Sequence, residues 1–396
     1  MSIEALARVG EPGREVPFYR PDIGEEEIAA VVDAIRSGWL SVGPRTVEFE
    51  RVFAEYVGAR HALAFNSCTA ALHLGLLTLG LQPDDEVITT TLTFAATGAT
   101  IIHAGGRPVL ADCSDDTLNI DPADLERRIT PRTRAIVPVH FAGHPVALDA
   151  IHALAEKHNL VVLEDSAHAL PALYRGRRIG GLSRMTAFSF YATKNLSTGE
   201  GGMLTTDDDE IVEKVRCWRL HGMSRDAWRR YSAGGSWRYD VSFPGYKYNM
   251  TDTAAAMGLV QLRRLEEMHR RRRELATLYG RLLADVPEIR LPIESSEVES
   301  AWHLYVVRFD PSQLRVGRDE IIELLKQAGV GTSVHFIPLH LHSYYRDRFG
   351  LRPEDFPVAS AAAERILSLP FFTTMTDADV EYVCSTLRRI LREQRR

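Results

Sequence analysis

The chain has 396 residues, 45% of them hydrophobic and 25% charged, with a formal net charge of −6. That length and balance describe an ordinary soluble globular protein with material for two units. The negative charge argues against nucleic acid or an anionic membrane as a partner.

In chain order, residues 1 to about 14 are polar, with Gly and Pro, and read as a loose arm. Glu25–Ser37 has helical apolar spacing and acids in its first turn, and Thr46–Tyr56 reads as a second helix after a turn-rich SGWLSVGP loop. From His61 the pattern alternates. His61–Phe65, Glu86–Phe94, Arg107–Asp112 and Ala135–Phe141 read as strands, and Leu160–Leu163, Met185–Phe190 and Gly202–Thr206 as three more. Helices are expected over Ala70–Leu79, up to about His103, and over Ala147–His158. Such alternation implies a mostly parallel, helix-covered sheet.

The character shifts near Met250. Thr251-Asp252-Thr253 is a cap-like start to a long helix from about Ala254 to Leu283. A strand over Ala301–Phe309, a helix over Arg318–Ala328, a strand toward His335 and a final helix from Asp377 follow. The expectation is a large unit over residues 15–249 and a smaller α+β unit over 250–396. The run Arg270–Arg273 lies among Glu266, Glu267 and Glu274 and reads as a solvated helix face.

The four cysteines, Cys68, Cys113, Cys217 and Cys384, have no CxxC spacing, which sets aside a disulfide framework and a cysteine metal site. His335 and His340 in VHFIPLHLHSYY have no acidic or cysteine partners nearby, so no metal is expected. No targeting pattern and no run near the ~18 apolar residues of a membrane span is present, and the expected location is the cytoplasm.

The chemistry points to one stretch. Glu164 and Asp165 sit where the strand from Leu160 should end, and Lys194 follows the next strand. Carboxyl ends of neighbouring parallel strands open into one crevice, where α/β proteins bind ligands. A buried carboxylate and a lysine there suggest a carbonyl cofactor held as a Schiff base, with the acid opposite its ring nitrogen. Lys194 also reads as a plain surface charge, but Ser189, Tyr191, Thr193 and Thr198-Gly199-Glu200-Gly201-Gly202 surround it with small polar residues. By strand alternation Glu164 faces the other way and is structural. The Asn66-Ser67-Cys68-Thr69 turn reads either as a simple N-cap or as a phosphate site. Phe94 reads as core or as a ring stacked on a flat cofactor, and His168 as a buried histidine or a partner for a phenolic oxygen.

The segments SCTAALHL (67–74), TLTFAAT (91–97), PVHFAGHPVALD (138–149), EDSAHA (164–169), FSFYATKNLSTGEGGML (188–204), GYKYNMTDTAAAMGLVQL (245–262) and LPFFTTMTD (369–377) occur in this order. Together they closely resemble the nucleotide-sugar aminotransferases of the DegT/StrS type, over roughly residues 15–390. The resemblance implies the pyridoxal-phosphate-dependent transferase fold (fold type I), with a large, mostly parallel α/β domain and a smaller carboxyl-terminal α+β domain. It implies pyridoxal 5′-phosphate as cofactor, Lys194 as its aldimine lysine and Asp165 as partner of the pyridine nitrogen. It places His168 at the ring hydroxyl, where many members have Gln, and Phe94 on the ring face. Cys68, Thr69 and Ser189 would hold the phosphate, Cys68 through its backbone because glycine is common there. Many members carry Asn-Tyr-Arg where this chain has Lys247-Tyr248-Asn249, so Lys247, with Asn249 in reserve, would reach the cofactor phosphate of a second subunit in an obligate homodimer. The implied reaction moves nitrogen from an amino acid, L-glutamate foremost, to a keto sugar on a nucleoside diphosphate, with His335 at the sugar nucleotide. Surface polysaccharide, lipopolysaccharide included, or a glycosylated natural product would be the destination. A cyclitol acceptor, a sugar dehydratase and a non-catalytic regulator are the rival readings; dehydrating relatives replace the lysine by histidine, whereas Lys194 is present here.

Overall fold

The computed structural model describes residues 14–223 and 239–396. The expected amino-terminal arm therefore lies, Arg14 apart, outside the described residues.

Two helices lead in, α1 (Glu25–Arg36) and α2 (Pro44–Val57). There follow β1 (His61–Phe65), α3 (Cys68–Leu77), β2 (Glu86–Thr90), α4 (Ala95–His103), β3 (Arg107–Ala111), α5 (Pro122–Arg128), β4 (Thr133–Val137), α6 (Leu148–His158) and β5 (Val161–Asp165). A short hairpin, β6 (Leu173–Tyr174) and β7 (Arg177–Arg178), precedes β8 (Met185–Ser189), β9 (Gly202–Thr206) and α7 (Asp209–Trp218). The main sheet has seven strands in the order β1-β9-β8-β5-β4-β2-β3. β9 is antiparallel to both of its neighbours, and the pairs from β8 to β3 are parallel. One edge of the sheet thus gathers the carboxyl ends of β1, β2, β5 and β8 together with the amino end of β9.

Sequence explains several boundaries. β4 stops at Val137 rather than running to Phe141, because Pro138 has no N–H to give the ladder. α3 begins at Cys68, two residues earlier than its apolar pattern, because Ser67 Oγ accepts from Ala70 N at 3.1 Å and caps the helix there. Under the sheet, the rings of Phe49, Phe53, Phe188 and Phe190 meet at 5.1–6.0 Å between centroids.

The long helix α8 (Asp252–Leu283) has 32 residues and so spans about 48 Å. Its first half buries Ala255, Leu262 and Leu265 in the core beneath the large sheet; its second half buries Leu275, Tyr279 and Leu283 in a separate core. The second core lies on a three-stranded antiparallel sheet of β10 (Ile289–Arg290), β12 (Tyr305–Phe309) and β13 (Ile366–Leu369). A two-residue strand, β11 (Val298–Glu299), pairs with β6, and Val16 bridges Val330, so chain segments cross between the two parts. α9 (Arg318–Gln327), α10 (Ser343–Phe349), α11 (Pro357–Ala363) and α12 (Asp377–Glu393) complete the chain.

Two expectations change. No strand runs toward His335: the segment's backbone pairs with β13 at the single Ser333–Ser368 bridge, and Pro338 soon follows. The run Arg270–Arg273 is not all solvated. Arg272 follows Met268 by four residues and precedes Leu275 by three, so helical phase turns it inward, where Nη1 donates to Trp302 O at 3.1 Å and His303 O at 3.3 Å. Arg271 and Arg273 remain outside, paired with Asp377 and Glu299. Among the described residues, no helix is long and apolar enough to cross a membrane, and no group of three His, Cys, Asp or Glu side chains is placed to hold a metal ion.

Candidate active site

The edge that gathers the strand ends opens into a cleft of about 600 Å³. Lys194 enters it from the loop after β8. Phe190 N donates to Gly201 O and Thr198 N to Phe190 O, each at 2.9 Å, and these bonds fold residues 190–201 back on themselves. The glycines here serve backbone packing. A Cβ on Gly202 would stand 2.4 Å from Ser67 C and 2.5 Å from Cys68 N, so only glycine lets β9 start against the turn that opens α3.

Lys194 is half-buried as a residue, with its amine inside the cleft at 3.5 Å from His303 Nε2. Burial pushes its pKa down to about 8, against the pull of Cys68 and Asp165. Asp165 ends β5. Its Oδ2 accepts from Thr97 Oγ1 at 2.8 Å and its Oδ1 from Ala167 N at 3.2 Å. Burial raises its pKa, while those hydrogen bonds and the charge of Lys194 oppose the rise. Glu164 faces the other side, as strand alternation requires. There it meets His140 Nε2 at 2.8 Å and Thr186 Oγ1 at 3.1 Å in a fully buried cluster.

The other expected residues divide. Cys68 and Thr69 open α3, where the first N–H groups have no intrahelical acceptor, and both line the cleft with Ser189. Burial holds the Cys68 thiol far above its ordinary range, so it is neutral. Phe94, 62% exposed, is not core: it precedes α4 at the cleft wall, 5.9 Å from the Phe336 ring. His168 is buried, stacked on Phe336 at 5.7 Å, with no hydrogen-bond partner for Nδ1 among the described residues. His335 shares the cleft, its Nδ1 at 2.9 Å from Ser368 Oγ and its ring stacked on Phe18. Burial and the charge of Lys194 push its pKa down to about 4. His340 lies elsewhere, between Thr91 Oγ1 at 2.7 Å and Ser360 Oγ at 2.9 Å, as a satisfied buried histidine. Lys247 and Asn249 are outside the cleft wall. Lys247 is exposed, whereas Asn249 is buried with its Nδ2 on Met250 O at 3.1 Å.

Sequence reasoning missed His303 and Phe336. His303 sits in the run WHLY, just before an apolar strand, and nothing in its spacing ties it to a lysine 109 residues away. Phe18 and Tyr19 were also missed; Tyr19 OH donates to Ala192 O two residues before the lysine.

The donor set fits a flat carbonyl cofactor bearing a phosphate. It offers a lysine amine easily made neutral, a buried acid, an orphaned imidazole nitrogen, aromatic walls and an uncommitted helix amino terminus.

Comparison with known proteins agrees with that chemistry. The chain is 52% identical over 378 residues to the spore coat polysaccharide biosynthesis protein SpsC of Bacillus subtilis, covering 95% of this chain and 97% of that one. Spr1654 of Streptococcus pneumoniae, assigned as a sugar aminotransferase and solved in PLP and PMP forms, superposes with a TM-score of 0.90 at 36% identity. In its PLP form the match covers 96% of this chain and 99% of that one. Helicobacter pylori PseC, an aminotransferase involved in the biosynthesis of pseudoaminic acid, gives a TM-score of 0.90 at 30% identity over 96% of this chain and all of that one. The sequence profile of the DegT/DnrJ/EryC1/StrS aminotransferase family matches residues 21–388. The chain belongs to that family.

Proposed function

We propose that this chain transfers an amino group from an amino acid, L-glutamate foremost, to the carbonyl of a sugar carried on a nucleoside diphosphate, using pyridoxal 5′-phosphate joined to Lys194. The observation that carries this reading is the pair itself: Lys194, its amine drawn toward neutrality, and Asp165, buried on the neighbouring strand end, in one cleft. The PLP and PMP forms of the pneumococcal relative support the cofactor.

When bound, pyridoxal phosphate supplies an electrophilic carbonyl for the donor's amine and a ring that takes up electrons from the donor's α-carbon. The protein supplies the rest. Lys194 Nζ takes the donor's α-proton and would deliver it to the cofactor's carbonyl carbon, which a pKa near neutrality favours. Asp165 keeps the ring nitrogen protonated, and the unpartnered Nδ1 of His168 answers the ring hydroxyl. Phe94 and Phe336 bound the ring. The N–H groups of Cys68 and Thr69, with the hydroxyls of Thr69 and Ser189, receive the phosphate, and the partial positive charge of the helix end adds to them. His335, its Nδ1 engaged by Ser368, leaves Nε2 for the sugar.

The same reading assigns Lys247 to a second subunit's phosphate. It is exposed and outside its own cleft, while Asn249 is buried and gives one of its amide hydrogens to Met250 O. Ile28, Val32 and Ile35 line one exposed face of α1, with Trp39, Leu40 and Val47 nearby in sequence, which suits a homodimer. The name of the Bacillus relative favours a surface polysaccharide as the destination.

The test is the absorbance spectrum of the protein with pyridoxal phosphate, before and after L-glutamate, repeated on Lys194→Ala. A visible band that glutamate moves to the near-ultraviolet, absent in the variant, is expected; nucleotide-linked keto sugars should then restore it. A band unmoved by glutamate would transfer the assignment to another donor or to sugar dehydration. The absence of any band would overturn the catalytic reading.

A further inference from the structure

His303 reaches Lys194 from the carboxyl-terminal unit, and its surroundings fix which ring nitrogen carries the proton. Its backbone is held on both sides: N donates to Ala142 O at 3.0 Å, and its carbonyl accepts from Arg272 Nη1 at 3.3 Å. The neighbour of Lys194 in sequence, Asn195, sends Nδ2 to Leu170 O at 3.0 Å and to Ala301 O at 2.7 Å. Both acceptors are carbonyls, so both amide hydrogens are committed and the amide cannot be turned around. The atom left facing the imidazole is Oδ1, 3.2 Å from His303 Nδ1, and it only accepts. His303 therefore carries its hydrogen on Nδ1, and the lone pair of Nε2 points at Lys194 Nζ, 3.5 Å away at the outer limit of a hydrogen bond.

We propose that His303 is a positioning residue for Lys194, its Nε2 lone pair accepting an N–H of the lysine so that the amine's own lone pair is aimed into the cleft. This rests on Lys194 being the reacting amine, as proposed above. An amine free to rotate would spend only part of its time aligned with the carbon whose proton it moves, and alignment of that kind is worth much of a catalytic barrier. The titratable and charged groups facing His303 are Lys194, His168, with its ring centroid 4.4 Å away, Arg272 and His335; Asp165 and Cys68 act on the lysine. Burial, then the cations around it, holds His303 well below its ordinary pKa, so it stays an acceptor across the working range.

The tautomer is read directly in the wild-type protein by ¹⁵N NMR of histidine-labelled material. A hydrogen on Nδ1 of His303 is expected; one on Nε2 would overturn the proposal without any variant. The second readout uses cofactor-free protein. The pH midpoint for trinitrobenzenesulfonate modification of Lys194, followed by peptide mass spectrometry, should fall by about half a unit to one unit in His303→Phe, because the protonated lysine loses its acceptor. His303→Gln, which keeps an acceptor oxygen, should restore most of the shift. In loaded enzyme, His303→Phe should lower kcat about 10- to 100-fold with KM for the donor changed less than about threefold. An unchanged Lys194 midpoint in a folded His303→Phe protein would overturn the proposal. These first two measurements need no turnover, so they fail or succeed separately from the aminotransferase reading.

Discussion

Thr97 Oγ1 gives its hydrogen to Asp165 Oδ2 at 2.8 Å, and because that hydrogen is spent, Thr93 Oγ1, also 2.8 Å away, must donate to Thr97 in turn. The relay holds the carboxylate in one rotamer and offsets the cost of burying it. Thr97→Val should leave the fold intact and raise the Asp165 pKa further, drawing the shared proton away from the ring nitrogen toward the carboxylate. Loss of one hydrogen bond to a charged group corresponds to about tenfold in rate for each 1.4 kcal/mol not recovered. A decrease of about tenfold in the glutamate half-reaction is expected for Thr97→Val, and a larger one for Asp165→Asn. Stopped-flow absorbance checks both, and equal rates in wild type and Thr97→Val would count against the relay.

Lys194 makes the cofactor-free protein's stability depend on pH. Its folded pKa of about 8 lies below the unfolded value, so between pH 8 and about 10.4 the unfolded chain binds more protons and stability rises with pH. Lys194→Met should remove that rise and should be more stable than wild type at pH 7 by on the order of 2 kcal/mol. Denaturant titrations at pH 7 and pH 9.5 measure the difference, and parallel pH slopes for the two proteins would refute it.

The period-2 alternation of β5 was legible because it needs only neighbours in sequence: Asp165 toward the cleft, Glu164 away. The ends of β1 and β8 were legible to within one residue, and with them the edge on which Lys194 falls, whereas β2 and β4 each stop four residues short of their apolar patterns. His303 was not, since its meaning depends on an asparagine and a lysine delivered by another part of the chain. Arg272 was misjudged because an arginine run looks solvated until the phase of the helix is known, and one of its four members faces inward. The unpredicted helix α7 did carry a signal, the Asp208 cap whose Oδ1 accepts from Glu210 N at 2.9 Å.

Glu164 and Asp165 are adjacent and should behave oppositely when changed. His140 Nδ1 accepts from Val146 N at 3.1 Å, so its Nε2 hydrogen goes to Glu164. Although burial works against it, the hydrogen bond from His140 and its neighbours hold the Glu164 pKa below the ordinary value. The stability it contributes is present above the unfolded carboxyl's pKa and lost as pH falls through the lowered folded one. Glu164→Leu strands a buried N–H and a buried hydroxyl and should cost about 3 kcal/mol or more. Glu164→Gln should cost less, and at 20 °C the folded fraction of either variant should keep the wild-type cofactor spectrum. An altered spectrum in folded Glu164→Gln would bring this residue into the site.

Gly202→Ala places a methyl group against the Ser67–Cys68 backbone, which cannot rotate away as a side chain would. Overpacking of this kind costs about 1–3 kcal/mol or more, and here the strain falls on the turn that opens α3. Pyridoxal phosphate affinity should drop along with melting temperature. Gly199→Ala is the control. Its φ of +81° makes the change unfavourable, but nothing stands within 4 Å, so a loss of about 1 kcal/mol without the loss of affinity is expected. Equal losses of affinity in both would show that loop strain alone, not the α3 turn, governs binding.

If Lys247 serves the cofactor phosphate of a second subunit, a mixing experiment separates that from service in its own chain. In a hybrid of one Lys194→Ala chain and one Lys247→Met chain, one site carries both defects. The other has a native Lys194 and, across the interface, a native Lys247. Neither parent dimer has such a site. Mixing the two chains one to one makes about half of the dimers hybrids, so about a quarter of the wild-type activity should appear from two weak parents. Were Lys247 to act within its own chain, every hybrid site would carry one defect or the other and mixing would add nothing. Unfolding and refolding the mixture exchanges subunits, and sedimentation before the assay verifies that dimers have formed. A chain that sediments as a monomer while retaining full activity would remove the shared site altogether.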